Sequence, residues 1–390
     1  MREGWTYKTF GEVGSFLRGK NIQKADFVER GMPCIHYGQI HTKFGVSIDK
    51  HLSEVPLDVY NKSVIASPGD VIIAITSEDL DGSCKSTAWL GDYEVAVSSH
   101  AAVYKHSLNP KFIAYYLRSN SFFLEKEKYA RGFKVMEIKP TDIARIPLPI
   151  PTSEVQQSIV SELDKINELI LLKKEQLCDY DKLAKSIFYE MFGDPVDNEK
   201  GWEIKRIGDF GTCIAGATPS TSVDDYWANG TISWLSSGEV SKGRIFETDK
   251  KISKIGYDSC STRLIPAHTI VIAMAGQGKT RGTVGVAEIP LCTNQSICSI
   301  ITNEHIDVDF LYYQIKYLYN ELRSASNGDG GRGGLNLKLI QKFPIISPSL
   351  VLQKSFAKRI ITIERLKSEI QATIQDLETL FASRIQYWFD

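Results

Sequence analysis

Apolar residues recur in a three–four alternation along two long stretches of this chain. In the first they are Ile159, Leu163, Ile166, Ile170, Leu177, Tyr180, Ala184, Ile187 and Met191, interrupted at Lys173. In the second they are Phe356, Ile360, Ile363, Ile370, Ile374, Leu377, Phe381 and Trp388, interrupted at Lys367 and Arg384. Each spacing predicts a long amphipathic helix with a coiled-coil seam of about five heptads. Both are preceded by a Pro-rich, extended lead-in: Pro147, Pro149 and Pro151 in one case, Pro344 and Pro348 in the other. Thr152-Ser153 offers an N-cap to the first helix, and Glu154 places negative charge in its first turn. Gly193-Asp194-Pro195 ends it. Upstream of each helix lie shorter signals. Val71–Ile75 and Thr269–Ala273 are β-rich runs that follow Pro68 and Pro266 and precede polar, Gly-containing loops. Helical spacing of aromatic residues (Phe112, Tyr115 and Tyr116; Phe310 and Tyr313) predicts helices at 110–128 and 307–325.

These signals come in pairs because the chain is one unit written twice. Gly4, Trp5, Lys8, Gly11 and Gly14 return 197 residues later as Gly201, Trp202, Lys205, Gly208 and Gly211, and Pro147 and Gln156 as Pro344 and Gln353. Between them, Gly38-Gln39-Ile40 is echoed by Gly238-Glu239-Val240, and Lys50 and Ser53 by Lys250 and Ser253, at an offset of 200. A shared offset at both ends with small drift between them means two copies of one unit with insertions in the loops. The expected fold is mixed α/β (α+β): two tandem similar globular domains separated by two long antiparallel helices that form a coiled coil, pseudo-twofold symmetric. The expected divisions are a globular domain at 1–146, lead-in and central helix at 147–194, a second globular domain at 195–342, and lead-in and C-terminal helix at 343–390. A duplex DNA site read on both sides has the same kind of twofold axis.

Composition narrows the class. With 390 residues, 43% hydrophobic and 24% charged, the chain suits several globular domains. No apolar run approaches the ~20 residues of a membrane helix, and MREGWTYKTFGEV does not resemble a signal peptide. Seven scattered cysteines without Cys-x-x-Cys spacing favour reduced thiols and a cytoplasmic location over disulfides or zinc. The net charge of −1 is unevenly spread. Residues 1–150 carry 19 Lys and Arg against 17 Asp and Glu, and 201–342 carry 15 against 14; residues 151–200 carry 6 against 11. The globular stretches are only weakly basic, so a partner is expected to supply much of any phosphate neutralisation.

The search for chemistry excludes more than it finds. Ala273 to Thr280 nearly spells a P-loop, but its first glycine position is Ala273, and Arg281–Val286 reads as a turn into a strand where a helix is needed. The same loop could instead bring Lys279 and Arg281 to DNA. Asn327–Gly331 with Arg332-Gly333-Gly334 is a Gly-rich loop whose backbone could approach a groove closely and whose Arg332 could read guanine. At the matching place in the first copy stand Lys126, Lys128, Arg131, Gly132 and Lys134, with Tyr129 and Phe133 interleaved. There is no Gly-x-Ser-x-Gly, paired-histidine or metal-ligand motif.

Two globular units, each followed by a Pro-rich lead-in and a long amphipathic helix, resemble the DNA-specificity (S) subunits of type I restriction–modification systems. The segments Pro147–Gln156 with the helix to Gly193, their repeat from Pro344 to Asp390, and the openings Gly4-Trp5 and Gly201-Trp202 carry the likeness. The resemblance implies two target recognition domains, each reading one half of a split double-stranded DNA sequence. It also implies paired helices that fix the gap, and two methyltransferase (M) subunits docked on those helices that methylate adenine N6 with S-adenosylmethionine. Restriction (R) subunits can join. It implies no active site for the chain itself, in agreement with the missing motifs, and no metal, cofactor or membrane is expected for it. Side chains that can donate to bases or phosphates on expected loops are Gln39, His41, Lys85, Arg131 and Lys134 in the first unit, and Lys242, Gln277, Lys279, Arg281 and Arg332 in the second. The competing readings are an NTPase using Gly278-Lys279-Thr280 and a coiled-coil scaffold that works without DNA.

Overall fold

A computed structural model of the chain describes residues 2, 4–20, 22–132, 135–276, 278–325 and 334–390. It divides into two compact units, Met1–Lys174 with Ala372–Asp390, and Glu175–Gln371. Each unit therefore takes one half of each long helix, Ser153–Phe192 and Leu350–Phe389.

The units are built alike. In the first, a five-stranded sheet runs in the order Ser15–Arg18, Ala101–Lys105, Val71–Ala74, Ser86–Trp89, Ser47–Ile48. In the second the order is Gly211–Ala215, Ile297–Thr302, Thr269–Ala273, Val284–Ala287, Arg244–Ile245. Both sheets are antiparallel except at the last pair, which is parallel in each. The central strands are buried on both faces, which explains their unbroken apolar sequence (Val71–Ala74, Thr269–Ala273). The Pro-rich lead-ins are strands, as expected. Pro147–Ile150 pairs with Thr6–Thr9, and Pro344–Ile346 with Ile204–Arg206. These ribbons have two strands each, so the missing proline N–H is tolerated.

The expected helices at 110–128 and 307–325 are each two short helices. The first breaks between Pro110–Tyr116 and Asn120–Glu127, where the Ser119 side chain accepts from Phe122 N and caps the second piece. The other breaks at Leu318, between Val308–Tyr317 and Tyr319–Ser324.

Within each unit the halves of the long helices pair antiparallel. In the first, Glu162 meets Arg384 and Lys174 meets Glu378. In the second, Asp181 meets Lys367, and Phe188 meets Phe356 at 5.5 Å. The interruptions in the apolar pattern at Lys367 and Arg384 are thus ion pairs to the other helix. Toward the helix ends the buried face differs from the expected seam. Phe188 and Phe192 are fully buried while Ile187 and Met191 are only partly so, and Ile385 and Phe389 are buried more deeply than Phe381 and Trp388. Here the helix packs on the globular core as well as on its partner helix: Phe389 lies 5.5 Å from Phe112, and Phe192 lies 4.8 Å from Phe310.

Buried glutamines fasten each helix to its unit. Gln156 accepts from Asn109 N at 3.0 Å and donates to Pro151 O at 3.1 Å. Gln353 accepts from Asp307 N at 2.8 Å and donates to Pro348 O at 2.9 Å. This is the physical content of the repeated glutamine in the sequence.

Candidate nucleic-acid interface

The loop that joins the third and fourth strands of each five-stranded sheet carries Lys85 in the first unit and Lys279 and Arg281 in the second, and other candidates gather around it. In the first unit it is residues 75–85, in the second 274–283. The two loops close on their strands in the same way. Ala74 N donates to Lys85 O and Cys84 N to Ala74 O; Ala273 N donates to Thr283 O and Gly282 N to Ala273 O. The penultimate residue of each loop is left-handed, Cys84 at φ 61° and Gly282 at φ 88°. Glycine takes this conformation freely, whereas cysteine bears a cost on the order of 1–2 kcal/mol. The chain keeps that turn in both copies even where the residue opposes it.

In the first unit three candidates come together. The loop strand Thr76–Ser77 pairs with Met136–Glu137, and Arg131 bridges Glu137 from the other side. His41 Nε2 lies 3.0 Å from Thr76 O, and Lys85 Nζ donates to His41 O at 2.7 Å. Arg131, with a side chain 63% exposed, lies 3.3 Å from the Asp142 carboxylate. Arg18 joins the group through Glu137 at 2.9 Å and is half exposed. The sequence reading missed it, since a lone arginine on an edge strand carries no local signal. Tyr37 packs its ring 6.2 Å from His41 and 5.0 Å from the exposed His100. Lys134 lies outside the described residues.

Two expectations change. Gln39 was placed on a loop, but it lies in the helix Tyr37–Thr42 and closes a capping box: its Oε1 accepts from His36 N at 2.9 Å and its Nε2 donates to Ser53 Oγ at 2.7 Å. Glu239 does the same for Ser236 in the second unit. The echo between Gln39 and Glu239 is therefore a helix-start device. His41 also lies in that helix, in its last turn. Lys85 is on the loop but half-buried, and burial, with Arg118 nearby, holds its ammonium below the usual lysine range.

In the second unit Lys242 ends a short 3-10 helix, and its ammonium sits between Asp249 (2.7 Å) and Glu239 (3.2 Å). The hydrogen bond to Asp249 leads the causes that raise its pKa. Lys279 is exposed on the loop and Arg281 is half-buried. Gln277 and Arg332 lie outside the described residues. No helix starts at Thr280; the chain turns into the strand Val284–Ala287, so the phosphate-binding geometry of a P-loop is not formed.

The most consistent feature was not read from the sequence. From the second short helix of each unit, a basic residue donates to loop carbonyls. Lys126 Nζ reaches Ser83 O at 2.6 Å and Asp81 O at 3.3 Å. Arg323 Nη1 reaches Gly278 O at 2.8 Å and Arg281 O at 3.3 Å, and Tyr319 OH donates to Lys279 O at 2.8 Å. Lys126 and Arg323 stand 197 residues apart, the offset of the repeat. Among the described residues no helix is long and apolar enough to cross a membrane, and no group of three or more His, Cys, Asp or Glu side chains could hold a metal ion.

Comparison with known proteins agrees with the duplication. The family profile described as "Type I restriction modification DNA specificity domain" matches residues 2–178 and again 199–379. The specificity subunit of the Escherichia coli type I restriction enzyme EcoR124I/EcoR124II is 24% identical over 255 residues, which cover 63% of this chain and 62% of that protein. The HindI specificity subunit of Haemophilus influenzae is 29% identical over 167 residues, 42% of this chain and 36% of the relative. The matched stretches thus span under two thirds of these relatives. Among solved structures, the type I S subunit from M. genitalium superposes over 99% of this chain and 96% of its own with a TM-score of 0.59 at 16% identity. A chain from a structure described by the assembly and conformational transition of the type I R-M system covers 100% and 98%, with a TM-score of 0.56 at 17% identity. Both likenesses concern the fold.

Proposed function

The chain belongs to the type I restriction–modification DNA specificity family, and from that premise we propose that it reads a two-part duplex DNA target, one half with each unit. The loops 75–85 and 274–283, with Arg18, His41, Lys85 and Arg131 around one and Lys279 and Arg281 on the other, face the bases and phosphates. Gln39, Lys134, Lys242, Gln277 and Arg332 complete the set of candidates, Gln39 by supporting the backbone at the start of its helix and Lys242 by bridging Glu239 and Asp249. In this reading the chain has no reaction of its own. Two M subunits dock on the long helices and methylate adenine N6 with S-adenosylmethionine that they bind; R subunits join the same assembly in the cytoplasm.

One observation carries the proposal. Two units with the same sheet order close their loops at the same ladder position and hold them with a basic residue at the same place in the repeat. A pure coiled-coil scaffold needs no such matched loops.

Mapping of methylated adenines in a host genome that carries the methyltransferase genes tests it. With this chain expressed, a single two-part motif should be methylated throughout; without it, that motif should be bare. Methylation that is unchanged by removal of the chain would refute the reading.

A further inference from the structure

We propose that Lys126 and Arg323 are positioning residues for base recognition: each fixes the shape of its unit's loop from behind and so determines which bases that unit prefers. The inference rests on the reading that these loops meet DNA.

The argument is geometric. Lys126 is 4% exposed, and its ammonium rests 5.0 Å from the Phe123 ring of its own helix. It cannot itself reach a base, yet a buried cation needs strong acceptors. It finds them in the loop carbonyls of Asp81 and Ser83. Arg323 likewise lies over the Tyr319 ring at 5.4 Å and takes the carbonyls of Gly278 and Arg281. Strand register makes Ser83 and Arg281 equivalent, since each immediately precedes the left-handed residue, Cys84 or Gly282. The clamp therefore acts on the same peptide in both units. At Gly282 the fit is close: an added Cβ would come within 3.0 Å of Arg323 Cγ.

This fastening has a consequence for the outer side of the loop. A trans peptide points its C=O and N–H in opposite directions. Carbonyls of Gly278 and Lys279 turned toward the helix direct the N–H groups of Lys279 and Thr280 away from it, and the Lys279 side chain is exposed. A neutral side chain in place of the clamp would release the carbonyls and let the loop sample other shapes, which blurs discrimination without removing a single base contact.

The test uses the full chain with its methyltransferase subunits and a library of duplexes of randomised sequence, with bound duplexes sequenced. The unaltered protein should enrich a two-part motif. Lys126→Met should flatten base preference in one half by about tenfold or more and leave the other half sharp; Arg323→Met should do the reverse. Lys126→Arg and Arg323→Lys should restore preference. If both halves stay sharp in either Met variant, or both blur together, the positioning role is wrong. A library from which the unaltered protein enriches no two-part motif overturns the proposed function itself, and this inference with it. Because Lys126→Met can fail to fold, amide exchange on Arg323→Met provides a second reading. Amides 278–283 should exchange faster while Thr269–Ala273 stays protected; unchanged loop exchange also counts against the clamp.

Discussion

His106 is a base kept neutral by its surroundings. Its ring lies 4.9 Å from that of Tyr104, tilted by 30°, its Nδ1 accepts from Leu108 N at 3.2 Å, and its Nε2 is buried. Burial pushes its pKa down to about 4, against a partial upward pull from Asp70. An unfolded histidine takes its proton near 6.5, so between pH 6.5 and 4 the unfolded chain binds a proton that the folded chain refuses. The stability associated with this group is whole above pH 6.5 and declines as pH falls toward 4, by at most roughly 3 kcal/mol. In thermal unfolding followed from pH 7 to pH 4, His106→Asn, which keeps an acceptor for Leu108 N, should lose less stability than the unaltered chain. Equal slopes would show that His106 takes no part. At this scale the sequence was least legible. Gln39 and Glu239 stand at matching places, but a side chain that can read adenine and one that closes a capping box look alike until the backbone is seen. The clamps Lys126 and Arg323 were hidden for a different reason: a lysine and an arginine 197 residues apart register as one repeated contact only when their carbonyl partners are known.

Elements were easier to read, because periodicity survives in sequence. The seam through Ile159, Leu163, Ile166 and Ile170, and through Phe356, Ile360 and Ile363, is buried as its spacing predicts. The reading slipped at Phe188, Phe192, Ile385 and Phe389, where the helix faces a globular core as well as its partner and the buried stripe is broader than two positions in seven. It slipped again at 117–119 and at 318, where a local cap or a single non-helical residue splits what periodicity joins. The glutamine at the start of each long helix shows what a conserved offset within one chain can mean. Gln353 is 1% exposed and satisfies two backbone groups from different segments. Gln353→Leu fills similar space but leaves Asp307 N and Pro348 O without their partner, at about 1–3 kcal/mol each. Urea unfolding should show a loss of roughly 2–5 kcal/mol on that basis. A loss below ~1 kcal/mol would mean that those groups find other partners.

For the whole molecule the balance of charge decides how DNA can be held. The duplication, the repeated helices and the absence of catalytic motifs were legible from one sequence because each is a property of the entire chain rather than of a contact. Charge is another such property. The stretches 1–150 and 201–342 exceed neutrality by two and one positive charges, and 151–200 is acidic by five. Many of the cations are already engaged: Arg18 with Glu137, Arg131 with Asp142, Lys242 with Asp249 and Glu239. Each phosphate contact releases counterions and steepens the dependence of log K on log salt by about 0.9. A chain whose globular stretches are so close to neutral should neutralise few phosphates on its own. Titration of a duplex bearing the methylated motif with this chain alone should give a slope no steeper than about −4. Addition of the methyltransferase subunits should steepen that slope by several units, since the added phosphate contacts come from them. A slope near −8 for the isolated chain would mean that its basic side chains leave their carboxylate partners for phosphate, and that the units grip DNA unaided.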